Sequence, residues 1–207
     1  LEEIAKYEDQ PPFGAFERAF ELHFGPRGLG RRVLGTRQSI TAMTADAMRA
    51  YFNRRYQPEN IVLAATGNVD FDALVAQVES LTQSWSARSD LASDHAVGAN
   101  DGPGLPDGIS LDADLGVAAA RQDYRVGIGS GPSIQDDDRH AARMLAAIVG
   151  DEGGSRLFWE LIDTGRAEVA TVWPQEFSDT GVWMSYLVGA PEDAESNQSL
   201  IEDCYRR

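Results

Sequence analysis

The first residue of this chain placed to do chemistry is a carboxylate on a helix. Glu3 lies in Leu1-Glu2-Glu3-Ile4-Ala5-Lys6-Tyr7, one turn from Tyr7, on a face that carries no other evident metal ligand. From residue type alone it reads as a solvated helical acid. A catalytic zinc centre needs three protein ligands and an open position for water, and one carboxylate cannot hold the ion. The three histidines offer no obvious complement. His23 stands beside a stripe of phenylalanines and reads as a packing or edge residue. His95 lies in a Ser/Asp/Gly/Pro-rich stretch without a partner nearby, and His140 falls on an edge or exposed position of a helix. No H-x-x-E-H, the helix motif that sets two imidazoles and a general base on one face, occurs anywhere in the chain. The triplet Asp136-Asp137-Asp138 lacks the Gly and the distal Glu of a calcium loop. Acids gathered at a helix N-terminus explain it better. Cys204 is the sole cysteine, which excludes an internal disulfide framework. Its place on the apolar side of the last helix marks it as a small buried hydrophobe.

Composition narrows the classes. The 207 residues, 43% of them hydrophobic, suffice for a packed core in one or two domains. No apolar run approaches the length needed to cross a bilayer, so no membrane span is expected. The compartment stays open between cytoplasm and periplasm for a soluble protein. The net charge of −15 is concentrated in the second half. Residues 1–88 hold ten Lys/Arg against eleven Asp/Glu, and residues 89–207 hold eight against twenty-two. Such a surface repels phosphate backbones and excludes nucleic acid as a partner. It suits basic peptides, or simply solubility.

The elements that must position these residues follow from periodicity. After the acidic opening helix and a Pro-Pro break, Phe13, Phe16, Phe20 and Phe24 recur three and four apart and form one helical face. Gly25, Pro26, Gly28 and Gly30 end that helix in a loop. Thr44 is the expected N-cap of the next helix, with Met43 stapled on Met48 and a buried face of Met48, Tyr51, Phe52 and Tyr56, stopped by Pro58. Ile61–Thr66 reads as a buried strand closed by Gly67-Asn68. Asp70 then caps a helix with the stripe Phe71, Leu74, Val75, Val78, Leu81 and Trp85. From Ser86 the composition changes, and residues 89–109 are expected as an interdomain linker. Alternation from Ala118 to Ile128 predicts a strand. A helix follows with Ala141, Met144, Leu145, Ile148 and Val149 inward and Gly150 at its end. Residues 167–177 and 182–188 read as paired strands, and Pro191-Glu192 introduces a final helix bearing Leu200, Ile201, Cys204 and Tyr205.

Several of these segments together resemble the pitrilysin/insulinase family of zinc peptidases, which includes the mitochondrial processing peptidases. Leu1-Glu2-Glu3-Ile4 followed by Glu8-Asp9-Gln10-Pro11 is similar to the family's V-x-x-E-E-I and E-D-x-P segment. Leu29-Gly30-Arg31 with Leu34-Gly35-Thr36 is similar to its L-G-R-x-I-L-G-T. Tyr56-x-Pro58-x-Asn60, the strand and Gly67-Asn68-Val69-Asp70 keep the order of the family pattern, and so do Gly153-Gly154-Ser155-Arg156-Leu157-Phe158 and Asp179-Thr180-Gly181-Val182-Trp183. The resemblance implies an α+β fold of two related units, with helices packed on mainly antiparallel sheets and the first unit incomplete. Residues 1–88 would be the C-terminal part of a first peptidase-like domain, residues 89–109 a linker, and residues 110–207 a second domain cut short at its C-terminus. It also implies that Glu3 is the third zinc ligand of a longer metalloendopeptidase, whose other ligands and general base sit on an H-x-x-E-H helix. There zinc activates a water for attack on the peptide carbonyl.

The same resemblance places no catalytic residue in this chain and expects no tightly bound zinc without the missing helix. Substrate would be a peptide or unfolded protein, and the assembly a homo- or heterodimer with a related chain. Active members bind substrate through an Arg/Tyr pair. Here Ile162 stands at the Arg position and Glu168 near the Tyr, so that role is not carried over. The alternative is a non-catalytic partner or scaffold subunit of the same family.

Overall fold

The computed structural model describes residues 1–8, 10–26, 28–85 and 121–206. The expected linker 89–109, His95 and the start of the alternating segment at Ala118 lie outside the described residues. The structure is α+β. It divides into two compact units: Leu1–Arg37 with the described part of Val97–Arg207, and the described part of Gln38–Ala96.

The first unit is built on a three-stranded antiparallel sheet, β1 (Asp123–Gly131), β2 (Ala167–Glu176) and β3 (Gly181–Gly189), in the order β1-β3-β2. Alternation along β3 sends its side chains to opposite faces, as the two-residue period of a strand requires. Trp183 and Leu187 join one cluster, and Val182 and Met184 join the other.

On the first face lie α6 (Arg139–Gly150), a π-helical turn (Phe158–Ile162) and α7 (Ala194–Arg206). Val149, Leu157, Leu161, Val172, Ile201 and Cys204 are almost wholly removed from water there. Each fully buried aliphatic side chain contributes about 1.5–3 kcal/mol of transfer free energy. The opposite face carries α2 (Pro11–Phe24), whose Phe16, Phe20 and Phe24 pack with Val126, Ile128, Trp173, Phe177, Val182 and Met184. The Phe stripe is therefore a docking face, except that Phe13 is 46% exposed and meets Tyr7 of α1 (Glu2–Glu8) edge-on at 4.7 Å. Gly25 ends α2 at φ +73°, a conformation that carries a steric cost for any side chain.

Helix α6 departs from its expected orientation. Val149 is inward as expected, joined by Ala146 and Gly150, whereas Ala141, Met144, Leu145 and Ile148 are exposed. The cause is how closely the helix lies on β2. A Cβ on Gly150 would stand 2.7 Å from the Val172 amide nitrogen, and Thr171 donates its hydroxyl to the Gly150 carbonyl at 2.8 Å. Only small residues fit between backbones so close, so the larger apolar residues are turned outward.

The second unit holds α3 (Arg37–Ala42, all but its first residue), α4 (Ala45–Arg55) and α5 (Phe71–Thr82), with the segment 61–66 between the last two. Local signals are obeyed there. Thr44 accepts from the Ala47 amide at 3.1 Å and Asp70 from the Ala73 amide at 3.0 Å, each capping its helix. The expected burial does not follow. Met43, Met48, Tyr51, Phe52 and Tyr56 are all more than half exposed, so neither the staple nor the inward face of α4 is sealed. Ile61–Thr66 is not a buried strand. Its residues are exposed and make no sheet pairing among the described residues. A strand is defined by its neighbour, and this segment pairs with none of the described strands.

Candidate functional site

Glu3 sits in the first turn of α1 and is exposed. No group of three or more His, Cys, Asp or Glu side chains able to hold a metal exists among the described residues. Glu3 offers one oxygen donor where a zinc centre needs three ligands. The described donor set therefore does not fit a zinc ion. His23 and His140 form no such group with Glu3. His140 is exposed on α6, in the expected position. His23 is buried on α2, its ring edge-on to Phe24 at 4.7 Å, and among the described residues its Nδ1 has no hydrogen-bond partner. Burial holds its pKa below the ordinary histidine value, so the ring sits neutral in an apolar wall.

The Asp136-Asp137-Asp138 turn shows why an acid triplet is not by itself a cation site. Asp136 accepts from both the amide and the hydroxyl of Ser133, each at 2.8 Å, and these bonds hold its carboxyl below the usual range. Asp138 stands at the N-cap of α6 but makes no side-chain cap bond. The three acids and Ser130-Gly131-Pro132 line a shallow open concavity of about 450 Å³.

The residues of the Ser155-Arg156-Leu157-Phe158 motif prove to be architectural. Ser155 donates to the Asp151 carbonyl at 2.7 Å and accepts from the Phe158 amide at 3.1 Å, fixing entry into the π-helical turn. Arg156 reaches across 48 residues to donate to the Cys204 carbonyl at 2.8 Å, holding the end of α7. Leu157 fills the core. Asp179–Trp183 forms the turn into β3, where Trp183 donates its indole N–H to the Tyr205 hydroxyl at 2.6 Å. Cys204 is fully buried, as its stripe position predicts.

At Ile162, which the resemblance aligns with the Arg of the family's substrate-binding pair, and at Glu168, near its Tyr, neither side chain offers that chemistry. Ile162 is half-buried against the core and Glu168 is exposed on β2. Beside them lies a clasp that the sequence reading missed. Arg166 donates through Nε to Asn197 Oδ1 at 3.1 Å and through its terminal nitrogen to Ser196 Oγ at 2.8 Å. Asn197 returns a bond from Nδ2 to the Arg166 carbonyl at 2.9 Å. The available signal was Asn197 itself, an amide four residues before Ile201 on the apolar stripe of α7. A polar residue there must find partners inside.

Comparison with known proteins agrees with this geometry. The profile of the family described as "Peptidase M16 inactive domain" matches residues 42–206. An "uncharacterized zinc protease" of Streptomyces coelicolor is 29% identical over 204 residues, covering 98% of this chain and 44% of its own length. Another, from Mycobacterium bovis, is 32% identical over 193 residues, covering 93% of this chain and 43% of its own. The chain thus spans less than half the length of these relatives. Among solved structures, the peptidase M16 inactive domain from Pseudomonas fluorescens superposes with a TM-score of 0.73 over 100% of this chain and 48% of its own, at 18% identity. A protease from Helicobacter pylori gives 0.72, over 98% of this chain and 48% of its own, also at 18% identity. Those two structural likenesses speak to the fold. With the profile spanning most of the chain, the conclusion is direct: the chain belongs to the peptidase M16 family and carries that family's inactive domain.

Proposed function

We propose that these residues serve as the non-catalytic portion of a zinc-dependent metalloendopeptidase about twice their length, and that alone they hydrolyse nothing. The observation that carries this reading is a mismatch. The relatives are named zinc proteases, yet the whole sequence lacks H-x-x-E-H, and the described residues offer no zinc-binding donor set. Zinc and the general base would then come from the half of the longer protein that this chain does not match, with Glu3 as the third ligand brought to them on α1. The substrate is a peptide or unfolded protein. The ordered motifs support residues 1–88 as the end of one peptidase-like domain, 89–109 as a linker and 110–207 as part of a second. That division concerns ancestry along the chain, whereas the packing division at Arg37 concerns contact.

A second reading, a non-catalytic partner or scaffold subunit of a homo- or heterodimer of the same family, is one that the lack of H-x-x-E-H in these residues would also fit. The deciding experiment compares the longer protein with its Glu3→Gln variant for zinc content and peptide hydrolysis. Stoichiometric zinc and hydrolysis, both weakened by Glu3→Gln and both missing from the 207-residue chain, are the expected result. A folded longer protein without zinc or activity moves the assignment to the partner subunit. Zinc and activity indifferent to Glu3→Gln remove Glu3 from the ligand set.

A further inference from the structure

Helices α1 and α2 form a layer of their own in the first unit. The core on the far face of the sheet, from Val149 and Leu157 to Ile201 and Cys204, takes no side chain from residues 1–37. α2 reaches the near face through Phe16, Phe20 and Phe24, which pack with Val126, Ile128, Trp173, Val182 and Met184. Among the described residues no hydrogen bond or ion pair joins α1 or α2 to the sheet. Apolar contact alone seats the layer. One ionisable ring lies within it. His23 stands one turn after Ala19 and beside Phe24, and all three are buried, His23 to 4% exposure.

A neutral imidazole is tolerated in such a seat, whereas an imidazolium there is a buried charge without a partner. No neighbouring charge relieves it. The elements packed against α2 bring Glu2, Glu3 and Lys6 on α1, Asp123 and Arg125 on β1, Glu176 on β2 and Tyr186 on β3, with Arg31 and Arg32 after the turn at 28–30. On α2 itself stand Glu17, Arg18 and Glu21. None of them contributes to the lowered His23 pKa, whose single cause is burial. The carboxylate closest in sequence is already engaged, because Glu21 meets Arg18 at 3.0 Å and Arg32 at 3.8 Å. Nδ1 likewise has no hydrogen-bond partner among the described residues.

We propose that α1 and α2 are an acid-releasable arm: protonation of His23 lifts them off the sheet while the sheet and the helices on its other face stay folded. Above the ordinary histidine pKa near 6.5 the ring is neutral whether the arm is seated or released. As pH falls through 6.5, the released ring takes up a proton that the seated ring refuses. The released population therefore grows about tenfold per pH unit, until the lowered pKa of the seated ring is reached. At pH 5 the ceiling is about thirtyfold over pH 8. A three-stranded sheet with one face still covered can stand without the arm. A 14-residue helix freed from its seat is marginal in water, so release appears as melting of α2. In the longer protein the arm carries Glu3 with it, so acid would also withdraw that carboxylate. Only this consequence rests on the peptidase reading.

Hydrogen exchange of the 207-residue chain at pH 8, 6.5 and 5, corrected for the intrinsic pH dependence of exchange, tests the arm. The amides from Phe16 to Phe24 should lose protection by up to about thirtyfold between pH 8 and pH 5, while those of Val172, Leu187 and Ile201 hold theirs. His23→Phe and His23→Gln, neither of which titrates in this range, should each remove the loss. Three results overturn the proposal. They are α2 protection that ignores pH, a loss that persists in both variants and so belongs to the carboxylates, and a loss shared equally by the sheet, which is global unfolding. Imidazole titration followed by NMR is an independent check, and a His23 midpoint at 6.5 also overturns it. Zinc plays no part in these measurements. A failed zinc assignment for Glu3 therefore leaves the arm standing, and a failed arm leaves the peptidase reading untouched.

Discussion

The two units differ far more in burial than in the quality of their sequence patterns. Helix α5, with a correct Asp70 cap and a stripe at helical spacing, is as well signalled as α7, yet Ile201 and Cys204 of α7 are buried and no residue of α5 is. Ile61–Thr66 is as apolar as β3, yet β3 has a partner on each edge and 61–66 has none among the described residues. The lesson is that pattern specifies a face and not what covers it. Burial is a property of the pair of surfaces, and among the described residues the second unit presents one surface of each pair.

The largest effect that tests this contrast is a matched pair of truncations. Leu157→Ala, at a fully buried position of the first unit, should cost about 2–5 kcal/mol in urea unfolding of the 207-residue chain. Leu63→Ala removes the same atoms from the second unit and should change stability by less than about 0.5 kcal/mol, because that side chain is already in water. Equal losses at the two positions would show that Leu63 is covered in this chain, and the contrast between the units would collapse.

Much of the first unit was legible because its determinants are local or periodic. The alternation around Tyr124–Ile128, the paired strands at 167–177 and 182–188, and the stripe ending in Cys204 each follow from the period of one element. The Thr44 and Asp70 caps needed only three residues apiece. What escaped is non-local. The inward face of α6 depends on how near the helix comes to Val172, and a stripe of Met144, Leu145 and Ile148 cannot report that distance. The Arg166–Asn197 clasp joins residues 31 apart. The zinc role proposed for Glu3 needs co-ligands that the described residues do not offer, and so its test lies in the proposed longer protein.

A middle-sized effect sharpens the account of the first unit. Asn197 is fully buried, and its amide is the partner of both the Arg166 carbonyl and the Arg166 guanidinium. Asn197→Ala strands those groups and should cost about 1–3 kcal/mol. The loss should be localised, with faster amide exchange around Arg166 and the first turns of α7 while β1 and β3 stay protected. Uniform acceleration across the sheet would mean that the clasp holds the whole unit together and not one corner of it.

The smallest effect is read as a slope with pH. His23 is buried on the α2 face that meets the sheet, and its pKa is held down by loss of solvation. In the unfolded chain the ring takes up a proton as pH falls through the ordinary histidine range near 6.5. The folded state resists until a lower pH. Within that window the unfolded state binds more protons, so stability must fall as pH falls, and it is fully regained above the window. Below the depressed folded pKa the loss levels off. His23→Phe should remove this component, and the stability difference between variant and parent should grow from pH 8 to pH 5.5 in the variant's favour. The comparison cancels the carboxylates, which titrate alike in both proteins. An unchanging difference would mean that the His23 ring reaches water in solution and that α2 is not seated on the sheet. His95 and His140 are common to variant and parent and cancel with the carboxylates, so the slope reports on the seating of His23 alone.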